Sequence, residues 1–449
     1  MGEGLTPPDV VKFVSAYGVW IKQNHKGKTT VVIGRDARLS GKMVNSLAVS
    51  ALSALGIDCI DLGLSTTPTV EIAVTELKAS GGIIITASHN PKQWNALKLL
   101  NAKGEFISEA DGQKILTIAE KGNFEYADVA LLGKITERGD LLKIHIDKIL
   151  KLPYVDVKAI RAKKFKVVVD AVNSSGGFAV PQLLEALGVS DIVKLHCEPN
   201  GMFAHNPEPL PENLRDLSKA VTKNKAHLGI SVDPDVDRLA LVCEDGEMFG
   251  EEYTLVAVAD YVLQHHKKGN TVSNLSSTRA LRDVTEKAGG QYAASAVGEV
   301  NVVTLMKESK AVIGGEGNGG IILPELHYGR DALVGIAIFL THLAKFGKST
   351  SMLRKTYPGY YISKNKIELT PDINVDKVLE KIKNKYKKQP INTVDGVKIE
   401  FDKEWVHLRK SNTEPIIRIY SESTSMSTAE NLAKKIIQDI RELIKEKVA

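Results

Sequence analysis

The chain has 449 residues, 43% of them hydrophobic and 25% charged, with a formal net charge of +5. It is too long for one hydrophobic core and too ordinary in composition for a disordered or fibrous protein, so several folded domains are expected. Lysine and arginine are spread along the chain without an aromatic-rich RNA-binding motif, which argues against nucleic acid and fits a small anionic substrate.

The start, Met1-Gly2-Glu3-Gly4-Leu5, does not read as a secretory signal, and no apolar run nears the roughly 20 residues that span a membrane. Cys59, Cys197 and Cys243 lie far apart, without metal or redox spacing. These features predict a cytoplasmic chain without disulfides or a membrane partner.

In chain order, Thr30-Val31-Val32-Ile33 predicts a strand, followed by a helix to about Leu55, Gly56, and a strand from Ile57 to Leu62. The same order returns at Lys166-Val167-Val168-Val169, with a helix ending near Leu187-Gly188, and again at Thr271-Val272-Ser273-Asn274, with a helix ending at Gly289-Gly290. Short β-rich runs alternating with helices closed by glycine predict α/β units with mixed, mainly parallel sheets. Such units carry chemistry at the carboxyl ends of their strands. Beyond about Asn365 the pattern changes to a helix near Val375–Tyr386, strands at Val397–Phe401, Trp405–Leu408 and Ile416–Tyr420, and an amphipathic terminal helix. The expected fold is three similar α/β domains (1–150, 151–250 and 251–364) and a smaller α+β domain (365–449) around a central cleft.

Four segments carry candidate chemistry. Thr86-Ala87-Ser88-His89-Asn90-Pro91 follows the apolar run Gly82-Ile83-Ile84-Ile85. Ser88 reads either as a helix cap or as an exposed nucleophile, since Pro91 biases Asn90 toward extended backbone. Lys98, ten residues on, returns along a short hairpin to the same place. It could neutralise phosphoryl oxygens, or exchange a proton if its pKa is lowered.

Asp233-Pro234-Asp235-Val236-Asp237-Arg238 places carboxylates at alternate positions after the predicted strand Leu228–Val232. It is either an acidic turn or a hard-oxygen site suited to Mg²⁺, with Arg238 beside it to fork onto a phosphoryl group. Gly314-Gly315-Glu316-Gly317-Asn318-Gly319-Gly320 is either a flexible turn or a loop whose Glu316 and Asn318 hydrogen-bond vicinal sugar hydroxyls. Arg409-Lys410-Ser411-Asn412-Thr413-Glu414-Pro415, with Arg418 beyond, is either a plain hairpin or a phosphate nest.

Serine nucleophile, metal loop, sugar loop and phosphate loop, in that order, resemble the α-D-phosphohexomutase superfamily over nearly the whole chain. The segment Gly-Glu-Gly-Asn-Gly-Gly looks most like its archaeal-type phosphoglucosamine mutase group. The resemblance implies that Ser88 carries a phosphoryl group and, with Asp233, Asp235 and Asp237, holds one Mg²⁺. It implies proton transfer by His89 and Lys98, and an Arg238 that closes the metal loop. Glu316 and Asn318 would read the sugar, while Arg409, Ser411, Asn412, Thr413 and Arg418 hold the phosphate that is not transferred. Arg279, in the loop Ser276-Ser277-Thr278-Arg279, is counted with the substrate-binding residues.

The implied activity is interconversion of hexose 6-phosphate and hexose 1-phosphate through a 1,6-bisphosphate, with glucosamine phosphate first and mannose or glucose phosphate second. A bisphosphorylated hexose would be the primer, and a homodimer is allowed. A phosphosugar-binding sensor is the non-enzymatic alternative. Two departures stand out. Relatives often carry His where Gly320 stands, and they usually begin with a strand ending in a Ser-Gly-Ile-Arg-Gly-like turn, which this chain lacks. That missing strand predicts an unpaired sheet edge and reduced stability or activity.

Overall fold

The computed structural model describes residues 4–370, 373–410 and 416–445. The first helix, Pro7–Asn24, starts where Thr6 and Asp9 form a reciprocal capping box and Pro7 occupies the first turn. Its buried face includes Val10, Val14, Tyr17 and Ile21. The Tyr17 hydroxyl reaches the Leu100 and Gly82 carbonyls at 2.6 and 3.1 Å, so the buried ring brings a satisfied polar tip to the first sheet.

Four sheets follow one another along the chain. The first contains β1 (Thr30–Arg35), β2 (Asp58–Leu64), β3 (Gly81–Ile85), β4 (Leu97–Leu100) and β5 (Ile135–Glu137) in the order β4-β3-β1-β2-β5. The second contains β6 (Lys166–Asp170), β7 (Asp191–Leu195), β8 (Leu228–Val232) and β9 (Leu239–Cys243), ordered β7-β6-β8-β9. The third contains β10 (Thr271–Asn274), β11 (Tyr292–Ser295), β12 (Ile313–Glu316) and β13 (Gly320–Ile322), ordered β11-β10-β12-β13. In each, three strands run parallel and the fourth returns antiparallel. The repeated strand–helix order therefore builds three copies of one plan, with β5 added to the first.

The fourth sheet is wholly antiparallel: β14 (Tyr361–Glu368), β15 (Ile391–Asn392), β16 (Val397–Glu400), β17 (Trp405–Lys410) and β18 (Ile416–Ser423), in the order β14-β18-β17-β16-β15. The terminal helix buries Leu432, Ile436 and Ile440 against it. Expected for the chain, and found, are three α/β units with mixed, mainly parallel sheets and a smaller α+β unit.

Some local expectations change. Asn365 lies inside β14, paired with Ile419, so the sheet begins earlier than its sequence suggests. The outer edge of β4 is partly covered where the chain turns back, through Ile107 N–H to Leu99 O at 3.1 Å and a Leu100–Phe106 bridge. No helix among the described residues is long and apolar enough to cross a membrane.

Candidate active site

The Ser88 segment leaves β3 through turns and returns as β4; no helix follows it, so the helix-cap reading of Ser88 is overturned. Pro91 and a clamp from Arg38 hold the segment as a loop. The buried Arg38 guanidinium donates to the carbonyls of Ser88, Asn90, Pro91 and Trp94 and is itself held by Asp36 at 2.9 Å. Asp36 also accepts from Thr86 Oγ1 at 2.7 Å, and Thr86 Oγ1 accepts from the Ser88 N–H at 2.9 Å. Ser88 is thereby fixed at φ 48°, a conformation that costs a non-glycine residue energy and persists because its surroundings impose it.

Its hydroxyl donates to Asp233 Oδ2 at 3.0 Å and lies 3.4 Å from His89 Nδ1. Asp233, Asp235 and Asp237 follow β8, are fully buried, and offer carboxylate oxygens within 4.8 Å of one another. The loop holds its own ligands: the N–H groups of Asp237 and Arg238 both donate to Asp233 Oδ1 at 3.1 Å. Across from it, Thr67 fastens Asp235 through Oγ1 to Oδ2 at 2.6 Å and N–H to carbonyl at 2.9 Å.

Burial, then the adjacent Asp237 and Asp235, push the Asp233 carboxyl well above the usual range. Asp237 is held low despite its burial by Arg330, Lys98 and Arg238. Asp235 Oδ1 and Asp237 Oδ1 have no hydrogen-bond partner among the described residues. Buried hard oxygens, two of them orphaned, on three carboxylates crowded together fit a small divalent cation such as Mg²⁺.

Lys98 lies on β4, opposite Ile84, and its ammonium sits 2.8 Å from Asp235 and 3.4 Å from Asp237. Burial alone would lower its pKa, but the two carboxylates outweigh burial and raise it. With these partners the lowered pKa that proton exchange by Lys98 requires is not met. His89 differs, because burial and then Arg238 push its imidazole down to about 4, leaving it neutral at physiological pH.

Glu316 is the last residue of β12, so the loop expected over Gly314–Gly320 begins inside a strand. Its Oε1 accepts from Asn274 and the Gly298 N–H at 2.8 and 3.1 Å. Asn318 stands nearby in the cleft, its Oδ1 accepting from the Gly320 N–H at 3.2 Å. Arg409 and Arg418 sit directly opposite each other on β17 and β18 and also line this cleft, with His89, Arg238 and Glu316. Ser411, Asn412 and Thr413 lie outside the described residues. Arg279 is not brought in: its guanidinium reaches the Asp402 carbonyl at 3.3 Å and lies over Tyr360, at the junction of the third and fourth sheets.

Sequence reasoning missed Arg38 and Arg330. Arg330 donates to Asp237 at 2.6 Å, Glu299 at 2.9 Å and Glu316 at 2.9 Å, joining the acidic loop to the glycine-rich loop. It also explains Gly320, where a Cβ would lie 2.4 Å from Arg330 Cδ. A larger residue at 320 and Arg330 in this pose exclude each other. The available signals were positional: Arg38 follows the carboxyl end of β1, and Arg330 precedes Asp331, which caps the apolar helix Ala332–Phe346.

Comparison with known proteins gives matches over most of the chain. Models described as phosphoglucomutase/phosphomannomutase alpha/beta/alpha domains I, II and III match residues 1–126, 143–246 and 250–360, and the C-terminal domain matches 366–438. A Thermococcus kodakarensis protein described as a phosphoglucomutase/phosphomannomutase is 35% identical over 99% of this chain and 96% of its own. A probable phosphoglucosamine mutase of Methanopyrus kandleri is 32% identical with the same coverage, 99% and 96%. Among solved structures, a phosphoglucomutase/phosphomannomutase family protein from Burkholderia thailandensis superposes with a TM-score of 0.87 at 25% identity, covering 99% of this chain and 95% of that one.

Proposed function

This chain belongs to the phosphoglucomutase/phosphomannomutase family of mutases, and from that premise we propose that it interconverts a hexose 6-phosphate and its 1-phosphate through phosphorylated Ser88, with glucosamine phosphate preferred. The observation that carries the reading is the Ser88 hydroxyl held 3.0 Å from Asp233, at the mouth of a buried carboxylate triad. Mg²⁺ held by Asp233, Asp235, Asp237 and an oxygen on Ser88 would supply Lewis-acid stabilisation of the transferred phosphoryl group.

In the forward half-reaction the free sugar hydroxyl attacks phosphorus, its O–P bond forms, and the Ser88 Oγ–P bond breaks. Neutral His89 takes the hydroxyl proton late, as suits a weak base and a loose transition state, and the proton returns to Ser88 Oγ. Lys98 and Arg238 spread the charge of the group in transit. Arg409 and Arg418, with Ser411, Asn412 and Thr413, hold the second phosphate. After the bisphosphate turns over, Ser88 takes back the other phosphoryl group. Glu316 and Asn318 read sugar hydroxyls, and a bisphosphorylated hexose primes the serine. In this proposal the four units bring one loop each to the cleft, the fourth beginning with β14 at Tyr361 rather than at 365, and 357–359, just before β14, is the hinge.

The Gly-Glu-Gly-Asn-Gly-Gly loop and the Methanopyrus relative support glucosamine. The Thermococcus relative supports the second reading, a mannose or glucose phosphate. The test is Mg²⁺-dependent isomerisation of glucosamine 6-phosphate beside glucose and mannose 6-phosphates, with a trace of bisphosphorylated hexose. Faster turnover of glucosamine 6-phosphate bears out the proposal. Faster turnover of another hexose transfers it to the second reading, and stable phosphate on Ser88 without isomerisation makes the chain a sensor.

A further inference from the structure

A cluster apart from the acidic loop has no part in the phosphoryl chemistry. Asp170 ends β6 with a side chain 1% exposed, and two histidines from the following segments converge on it. His196 Nδ1 lies 3.2 Å from Asp170 Oδ2, and His205 Nε2 lies 3.2 Å from both carboxylate oxygens. The three donor atoms all fall within 4.8 Å of one another. Donors bound to one zinc-type ion at roughly 2.0–2.1 Å in a tetrahedron sit about 3.3 Å apart, close to the separations from Asp170.

His205 Nδ1 is 2.7 Å from the Asn206 carbonyl, which can only accept, so Nδ1 carries hydrogen. Nε2 then meets the carboxylate either as a second N–H, burial being outweighed by Asp170 so that the His205 pKa rises, or as a lone pair with a metal ion between them. An imidazole that gives its outer N–H to a backbone carbonyl and its other nitrogen to a cation is the usual arrangement of a metal-bound histidine. The carboxylate is oriented in the same manner, with Asp170 Oδ1 accepting from the Val172 N–H at 3.1 Å.

We propose that Asp170, His196 and His205 form a second metal site, one that takes a borderline divalent ion of the Zn²⁺ class. Two imidazoles and one carboxylate are a donor set for such an ion, whereas Mg²⁺ favours the all-oxygen set of the acidic loop. The His196 and His205 side chains are 22% and 15% exposed, which leaves water to complete the coordination.

The ion fastens the segment after β7 to the end of β6. That segment carries Phe203, whose ring lies 5.1 Å from the Arg38 guanidinium that clamps the Ser88 loop, and Glu208, 3.7 Å from Arg238. The site is thus a structural pin beside the catalytic loops, and its occupancy does not depend on the reading of Ser88.

The test is Zn²⁺ binding to chelator-treated full-length protein, followed by calorimetry and native mass spectrometry with Mg²⁺ in excess to occupy the acidic loop. One Zn²⁺ per wild-type chain is expected, retained in Ser88→Ala and lost in His196→Gln and His205→Gln. Co²⁺ in place of Zn²⁺ should give visible absorption bands of a nitrogen-ligated ion with few ligands, a readout that needs no variant. Absence of Zn²⁺ uptake by the wild type, or uptake unchanged in both histidine variants, overturns the proposal and leaves a protonated His205 paired with Asp170.

Discussion

Replacing Arg330 by methionine removes one cation from among three carboxylates. The Arg330 side chain is 10% exposed, and Asp237, Glu299 and Glu316 are 0%, 7% and 5% exposed, at 2.6, 2.9 and 2.9 Å. Methionine keeps much of the apolar stem, so lost charge dominates over lost volume. Removing one partner of a buried ion pair costs about 3–5 kcal/mol, because the remaining charge is buried without compensation. Arg330 lies within the span Ile146–Tyr357, whose buried side chains form one core, and at roughly 2–4 °C per kcal/mol for a unit of that size the melting temperature should fall by roughly 6–20 °C. Part of the loss should be recovered with Mg²⁺, which compensates Asp237 and stabilises the folded state by binding it. Arg330→Lys keeps the charge without the fork to three carboxylates and should fall between. Thermal unfolding of wild type and both variants, with and without Mg²⁺, measures this. An Arg330→Met protein within about 1 kcal/mol of wild type, or one indifferent to Mg²⁺, would refute the reasoning.

Mg²⁺ binding should release protons, because burial and like charge keep Asp233 protonated above the usual carboxylate range and the cation binds only the ionised form. Affinity should therefore rise with pH; calorimetry in buffers of different ionisation enthalpy counts the protons, and a count of zero contradicts the crowding argument. His327 lies between Asp331 at 3.3 Å and Glu71 at 3.2 Å. Burial would lower its pKa, but these partners raise it to about 10, against about 6.5 when unfolded. A raised pKa stabilises fully below about 6.5 and is lost as pH rises toward 10, so the wild-type advantage over His327→Gln should shrink across that window. Melting curves at about pH 6 and pH 9.5 check it, and a constant gap would count against the charged histidine. Asn318→Ser should change the ratio of turnover among hexose phosphates, measured as relative kcat/KM; an unchanged ratio removes Asn318 from the choice of sugar.

Two of the sites that could be read in advance follow strands: Ser88 after β3 and the Asp233 loop after β8 sit where α/β units expose chemistry. Lys98 was within reach for a local reason, since ten residues suffice for the β3–β4 hairpin. Its ionisation was not, because that depends on Asp235 and Asp237 arriving from another sheet. Arg38 and Arg330 act on groups far along the chain, 50 residues to Ser88 and 93 to Asp237, so nothing local beyond their positions after β1 and before a helix cap marks them. β14 escaped because Tyr361–Glu368 has lysine, asparagine and glutamate among its alternating residues and much of it is exposed, so its hydrophobic period is weak.

Mutase turnover by this chain requires a phosphoryl group to pass through Ser88. Incubation with a bisphosphorylated hexose and Mg²⁺, peptide mapping by mass spectrometry, and a chase with unlabelled hexose monophosphate follow that group directly. One phosphoryl group on Ser88, transferred to the sugar during the chase and absent in Ser88→Ala, is the predicted result. Isomerisation with Ser88 never labelled, or by the alanine variant at near wild-type rate, would contradict the account.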